Sequence, residues 1–329
     1  MNMKTFLTLF LLFALLPIKA QYDFAAIEKD RMARAKVKTQ TQWTHDYVGG
    51  KPVAKGYRSA ITTFDTRGNV IEIINYNKDG KVVLTEKTQY DRFGKIINFE
   101  RHDDKKLLYS QRTTYDNSGR IVREAGSDGF ANYSNTFTYD GSGRVAEISY
   151  TTNNSLQERR VFKYSGNKTE ISVFNAANTL ILTLENTYND KGALLSELRR
   201  ESQGNVVQSL NFQYNNFGYV LQEEKKRAGD KLDYQKIFFY DQHNRPIKEE
   251  TTNPDGSKFV SAEYQYNNQG DMIFKSWRRN ARATEPSTTR YTYDTRRLCV
   301  EEDSYFASSK FNSLYKYTYD FHWLSDYDK

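Results

Sequence analysis

The sequence predicts an all-β protein: tandem β-hairpin repeats forming one long curved or partly rolled antiparallel sheet, with a short N-terminal helix. Three observations carry this expectation. An aromatic anchor recurs at spacings of 24 to 27 residues: Phe64, Tyr90, Tyr115, Tyr139, Tyr164, Tyr188, Tyr214, Tyr240, Tyr266, Tyr293 and Tyr319. Asp, Asn or (once) Ser follows each anchor, and in seven of the eleven Gly comes four residues after it, as in FDTRG, YDRFG and YDNSG. Between these turns the pattern has period two, and the long helical periods that parallel crossovers need are missing.

The elements follow in chain order. Lys4, the apolar run Phe6 to Leu16, Pro17 and the segment Ile18-Lys19-Ala20 read as a signal peptide over 1–20. The apolar run of eleven residues is shorter than the roughly 20 needed to cross a bilayer. A mature chain starting near Gln21 is then exported to the periplasm, the outer surface or the extracellular space, with no transmembrane segment after cleavage. With one cysteine, Cys299, it holds no internal disulfide, so packing must stabilise it. The 25 Tyr and 20 Phe supply that packing material. Removing Lys4 and Lys19 lowers the net charge from +7 to +5, a mild excess with no groove-reading motif, which argues against nucleic acid.

Residues 21–41 are expected to form a helical cap on the array. The stretch YDFAAIEKDRMARAKVK (22–38) is rich in helix formers, with Phe24, Ile27 and Val37 on one stripe. A helix lying on a lipid surface is the alternative reading. The repeat domain then spans 42–329, opening with an atypical hairpin of QWTHDYV and VAKGYRSAITTF around GGKP. One unit, 113–139, shows the plan: Tyr115, the turn DNSG, a strand from Arg120, a second turn GSDG, and a strand returning to Tyr139.

Alternation assigns the faces. Phe137, Phe162, Phe212, Phe238, Tyr264, Tyr291 and Tyr317 stand two residues before an anchor and share its face. So, on this reading, do the aliphatic residues six after it, such as Val70, Ile121, Leu194 and Val220. Cys299 falls in that slot, which gives it a structural role. Thr, Gln and Lys immediately before the anchors face solvent.

The segments TTYDNSGRIV (113–122) and FTYDGSGRVAEI (137–148) resemble the YD repeat of the RHS family of secreted and cell-surface proteins. The resemblance runs from about Ile61 to Trp323, with degenerate units at YSGNK, YDTRR and YDFHW. It implies hairpins continuing side by side into a coiled sheet that can close into a hollow shell. It also implies carbohydrate binding, adhesion or encapsulation of a C-terminal toxin. No DPxGL-type motif ends the array and Tyr319 stands ten residues from Lys329, which leaves no room for a toxin domain here. About eleven repeats are expected to leave the sheet open or partly rolled.

Chemistry is sparse. His45, His102, His243 and His322 are scattered, and no zinc motif, phosphate loop or nucleophile elbow accompanies them, so no metal, cofactor or catalytic residue is expected. The recurrent acids Asp65, Asp91, Asp116, Asp140, Asp241, Asp294 and Asp320 read as turn formers. One patch stands out as a candidate ligand site: Trp277 with Arg278, Arg279 and Arg282, in FKSWRRNAR. It either holds an acidic sugar or a protein carboxylate, or is a core tryptophan shielded by arginines. The expectation is a non-enzymatic scaffold for binding or adhesion, to surface carbohydrate or an envelope protein. An envelope assembly factor is second and a glycan-active enzyme third.

Overall fold

The computed structural model describes residues 23–323; the expected signal peptide lies outside the described residues. Helix α1 spans Phe24–Arg34, with the Asp23 carboxylate accepting the Ala26 N–H at 2.9 Å as its N-cap. It is shorter than the helix-forming stretch that encodes it. Lys36 turns left-handed (φ 57°), and strand β1 begins at Val37, so 37–41 is strand where a helical cap was expected. Val37, Thr39 and Thr41 are β-branched, which favours strand over helix and explains the switch.

Strand β1 spans Val37–His45, and β2 (Tyr47–Val48) and β3 (Lys51–Pro52) make a separate small hairpin. Strands β4 to β10 are Tyr57–Phe64, Val70–Tyr76, Val82–Tyr90, Ile96–His102, Leu107–Tyr115, Ile121–Ser127 and Asn132–Tyr139. Strands β11 to β20 are Val145–Thr152, Ser155–Ser165, Lys168–Asn175, Leu180–Tyr188, Leu194–Glu201, Val206–Tyr214, Val220–Arg227, Lys231–Tyr240, Pro246–Thr252 and Lys258–Tyr266. The last four, β21 to β24, are Met272–Trp277, Ser287–Tyr293, Cys299–Phe306 and Phe311–Phe321. Twenty-two of them belong to one antiparallel sheet in which successive hairpins are neighbours, as the repeats imply.

The chain divides into two compact units. A central unit (138–149 and 157–262) holds β12 to β19 in series around Ile171, Val173 and Leu184, with Phe162 and Leu182 against them. A terminal unit (23–137, 150–156 and 263–323) holds the first and last repeats. There β1 pairs antiparallel with β4 on one side and β24 on the other. The first and last repeat strands are therefore not free edges: β1 joins them, which corrects the open alternative and goes further than the partly rolled sheet expected. A strand from outside the repeat pattern satisfies two rows of backbone groups that would otherwise template aggregation.

Helix α1 packs on the turns of this unit. Met32, Val37, Phe64 and Leu298 form a core that is at most 6% exposed. Beside it Arg31 Nη2 meets the fully buried Asp271 carboxylate at 2.8 Å, and Arg297 Nη2 reaches the same oxygen at 2.7 Å. The Arg31 guanidinium also lies 5.0 Å over the Tyr293 ring. Burial pulls the Asp271 pKa upward, but hydrogen bonds from Arg297 and Asn267 and the two arginine charges outweigh it, leaving the pKa below the ordinary carboxylate value.

Each repeat is built by its turn. At Tyr115, Asp116 Oδ1 accepts the N–H groups of Ser118 and Arg120 at 2.9 Å, and the same pattern holds at Asp65, Asp91, Asp140, Asn189, Asn215, Asp241, Asn267 and Asp294. These acids and amides are turn formers, as expected; Asp320, expected to be one, is not, because it lies within β24 and accepts from the Thr39 hydroxyl at 2.7 Å. The arginine of the YDxxGR pattern has a local use too. Arg144 Nε donates to Asp140 Oδ2 at 2.8 Å, while its guanidinium stacks 4.2 Å over Tyr164, the next anchor.

The anchors do something alternation alone does not show. Pairing shifts register between the preceding residue and the anchor, so that Tyr115 faces Ile121, Tyr214 faces Val220 and Tyr293 faces Cys299. The tyrosine hydroxyl then donates to the backbone carbonyl of the slot residue one repeat earlier: Tyr90 to Val70, Tyr115 to Ile96, Tyr164 to Val145, Tyr214 to Leu194, Tyr240 to Val220, Tyr293 to Met272 and Tyr319 to Cys299, at 2.6 to 3.0 Å. The slot contributes its carbonyl. Its side chain is therefore free to vary, from buried Leu194 (5%) to Ile96 (45% exposed), while it faces the anchor as expected.

Candidate functional site

The sequence-derived candidate, Trp277 with its arginines, lies at one hairpin end of the terminal unit. Trp277 closes β21, where it pairs with Ser287 of β22. Its ring meets Phe306 of β23 edge-on, with centroids 6.1 Å apart at 74°. Phe306 in turn stacks on its cross-strand partner Phe311 of β24, at 6.3 Å and 28°. The Ser287 hydroxyl ties the row together by accepting the Ala307 N–H at 3.0 Å. The result is an aromatic row across four strands, ending in Phe311, which is 58% exposed.

Cations flank this row. Lys275, two residues before Trp277 and on its face, places Nζ 5.4 Å from the Trp277 ring and 5.8 Å from that of Tyr264. Arg278, Arg279 and Arg282 lie in the loop that follows; Arg278 is half-buried and the other two are exposed. None of the three takes part in an ion pair among the described residues. The loop itself is held: Asn280 Oδ1 accepts the Arg282 N–H, and Tyr305 donates to Glu285 at 2.6 Å.

Below the row, on the same face, lies a layer of small hydroxyls. Thr289 and Ser304 are buried and hydrogen-bonded at 2.8 Å, and Ser304 faces Ser313 across β23 and β24. One step further, Tyr317 donates to Glu302 at 3.2 Å. Burial raises the Glu302 pKa, against the hydrogen bonds from Tyr317 and Ser304. This layer fixes the strands under the aromatics. Above it the rings stand edge-to-face at Trp277 and Phe306 and stacked at Phe306 and Phe311, with cations at their margin.

Sequence reading located Trp277 and the arginine loop but missed Lys275, Phe306 and Phe311. The missing signal was pairing: Phe306 and Phe311 flank the turn 307–310, so the hairpin rule places them opposite each other. Trp43 and Trp323 are not part of the row. Trp43 donates from Nε1 to Thr318 at 3.3 Å, and Trp323 follows β24 and is 77% exposed. The histidines stay apart: His45 bonds the Val53 carbonyl, His102 bonds Glu100, and His322 bonds the Phe64 carbonyl. Among the described residues no group of three or more metal-ligating side chains forms. Also among the described residues, no helix is long and apolar enough to cross a membrane.

No family model matches the chain, and no curated protein matches it. Among solved structures it is similar to TcdB2-TccC3 without its hypervariable C-terminal region, at 12% identity and a TM-score of 0.33. That alignment covers 81% of this chain and 19% of the other, so this chain spans about a fifth of that chain's length. It is also similar to a porin-like protein from Bacteroides uniformis (9% identity, TM-score 0.28) and another from Bacteroides vulgatus (13% identity, TM-score 0.27). Each of these alignments covers 86% of this chain and 98% of the other.

Proposed function

We propose that this chain is an exported, non-enzymatic YD-repeat scaffold that binds an acidic polysaccharide at the Trp277–Phe306–Phe311 row. The observation that carries the reading is the row itself: three aromatic rings in register across β21 to β24, with Lys275 at the rings and Arg278, Arg279 and Arg282 in the adjoining loop. Sugar rings present flat C–H faces that stack on aromatics, and carboxylates or sulfates on the sugar pair with the neighbouring cations. The acids that recur along the chain are consumed by the turns, which leaves them poor candidates for paired catalytic carboxylates.

The solvent-facing strand residues support work in water rather than in lipid. Thr138, Lys163, Gln213, Gln265, Thr292 and Thr318 are exposed, whereas a membrane-spanning strand carries apolar residues on its lipid face. The test is binding to neutral, uronate-bearing and sulfated oligosaccharides at low and high salt, with wild type, Trp277→Ala and Phe311→Ala. Selective binding that survives high salt and is lost in both variants supports the reading. Binding that vanishes with salt regardless of glycan marks only a basic surface. No glycan binding at all sinks the reading and turns the search to an envelope protein as partner.

A further inference from the structure

At the anchor-turn end of the same unit, the C-terminal turn of α1, the turn 294–298 and the end of β24 enclose a cleft of about 540 Å³. Five cationic side chains line it, Arg31, Arg34, Lys36, Arg296 and Arg297, together with Phe321 and His322. Among the described residues, no carboxylate lines it. Arg296 lies with its guanidinium 4.2 Å over the Phe321 ring, which holds the group flat against the wall.

The backbone singles out the same place. Eight described non-glycine residues have positive φ, and five of them are Asn or Asp, which tolerate that conformation. The other three are Lys36, Arg297 and Lys310, and two of these line this one cleft. Arg297 stands where most repeats have the turn glycine, and Lys36 stands at the helix end where Gly or Asn is the usual choice. At both positions the chain accepts local strain in exchange for a cation on the cleft wall.

A purely structural account covers part of this. Arg31 and Arg34 suit the negative end of the helix dipole, and both have acidic partners, Asp271 with Glu28 and Asp30. Arg297 compensates buried Asp271. Neither role asks for Arg296 on Phe321. We infer that the cleft is a binding site for a compact oxyanion, a phosphate, sulfate or carboxylate group, held by Arg296 and Lys36 with Arg34 and Arg297 around it. This site is separate from the aromatic row and does not depend on the glycan reading.

The test titrates full-length mature protein with inorganic phosphate and with glycerol phosphate against chloride at matched ionic strength, by calorimetry and by thermal shift. Phosphate is expected to bind, and Arg296→Gln to weaken it at least tenfold. Tighter binding of glycerol phosphate identifies an esterified group as the ligand; tighter inorganic phosphate identifies the free ion. Lys36→Gly separates binding from folding: Tm is expected to hold or rise as the strain is relieved, while phosphate affinity falls severalfold. Lys105→Gln, at the other hairpin end and outside both sites, is expected to bind as wild type does. Phosphate binding no tighter than chloride, wild-type affinity in both Arg296→Gln and Lys36→Gly, or an equal loss in Lys105→Gln overturns the inference.

Discussion

Replacing Asp271 with Asn keeps the shape of the side chain and deletes the charge that Arg31 and Arg297 share. The carboxylate is fully buried, and the Arg31 side chain is 10% exposed, so the substitution strands a buried guanidinium. Breaking a buried pair by removing one partner costs about 3 to 5 kcal/mol. The low end applies, because Arg297 is 38% exposed and can turn to solvent, and Glu28 still lies 3.0 Å from Arg31. About 3 kcal/mol corresponds to a Tm lowered by about 5 °C for a chain of this length, with a matching fall in the urea midpoint. Because the folded pKa of Asp271 is depressed, its contribution is present above the unfolded value of 3.8 and is lost as pH falls through the folded one. The wild type is therefore expected to lose stability below about pH 4 more steeply than the variant. Urea unfolding between neutral and acid pH reads both effects. A loss under about 1 kcal/mol, the scale of an exposed ion pair, refutes the claim that this cluster clamps α1 to the turns.

Other expectations follow from the repeat chemistry. Tyr214→Phe removes a hydroxyl donating at 2.6 Å to Leu194 and is expected to cost about 1 kcal/mol; with Tyr90→Phe, in a distant repeat, the losses should add. Gly192 and Gly68 have nearly equal φ, 77° and 75°, yet an added Cβ at Gly192 meets nothing within 4 Å, while at Gly68 it lies 2.2 Å from the Lys29 carbonyl. Gly192→Ala should cost about 1 kcal/mol and Gly68→Ala clearly more, since the helix must move; equal midpoints would contradict the docking of α1. Burial pushes the Cys299 thiol up to about 12, so thiol reagents at neutral pH should modify it only after denaturation.

Much of the repeat was legible because its causes are local. The Asp116 carboxylate bonds N–H groups two and four residues along the chain, so YDNSG states its own turn. Period-two alternation placed Thr138 and Thr318 in solvent and their anchors opposite, because strand geometry leaves no other choice. The slot's use as an acceptor was not legible, for a physical reason. Its contribution is a carbonyl oxygen, which every residue carries, so no side-chain pattern advertises it. The candidate site was legible only where residues are adjacent in sequence: Trp277 and its arginines were found, while Phe306 and Phe311 were not.

What the sequence determined by itself is the repeat unit: hairpin, turn, anchor, and the absence of disulfide support. What only tertiary structure decided is how the array ends. The pairing of Val37–His45 with Phe311–Phe321 joins residues more than two hundred positions apart, and nothing in VKTQTQWTH names that partner, whereas its pairing with Tyr57–Phe64 follows the hairpin expected around GGKP. The same holds for Asp271, which meets Arg31 across 240 residues. Turns are set by bonds within five residues. Closure and the basic cleft are set by packing between segments that share no local signal, so they emerge only when the chain is folded.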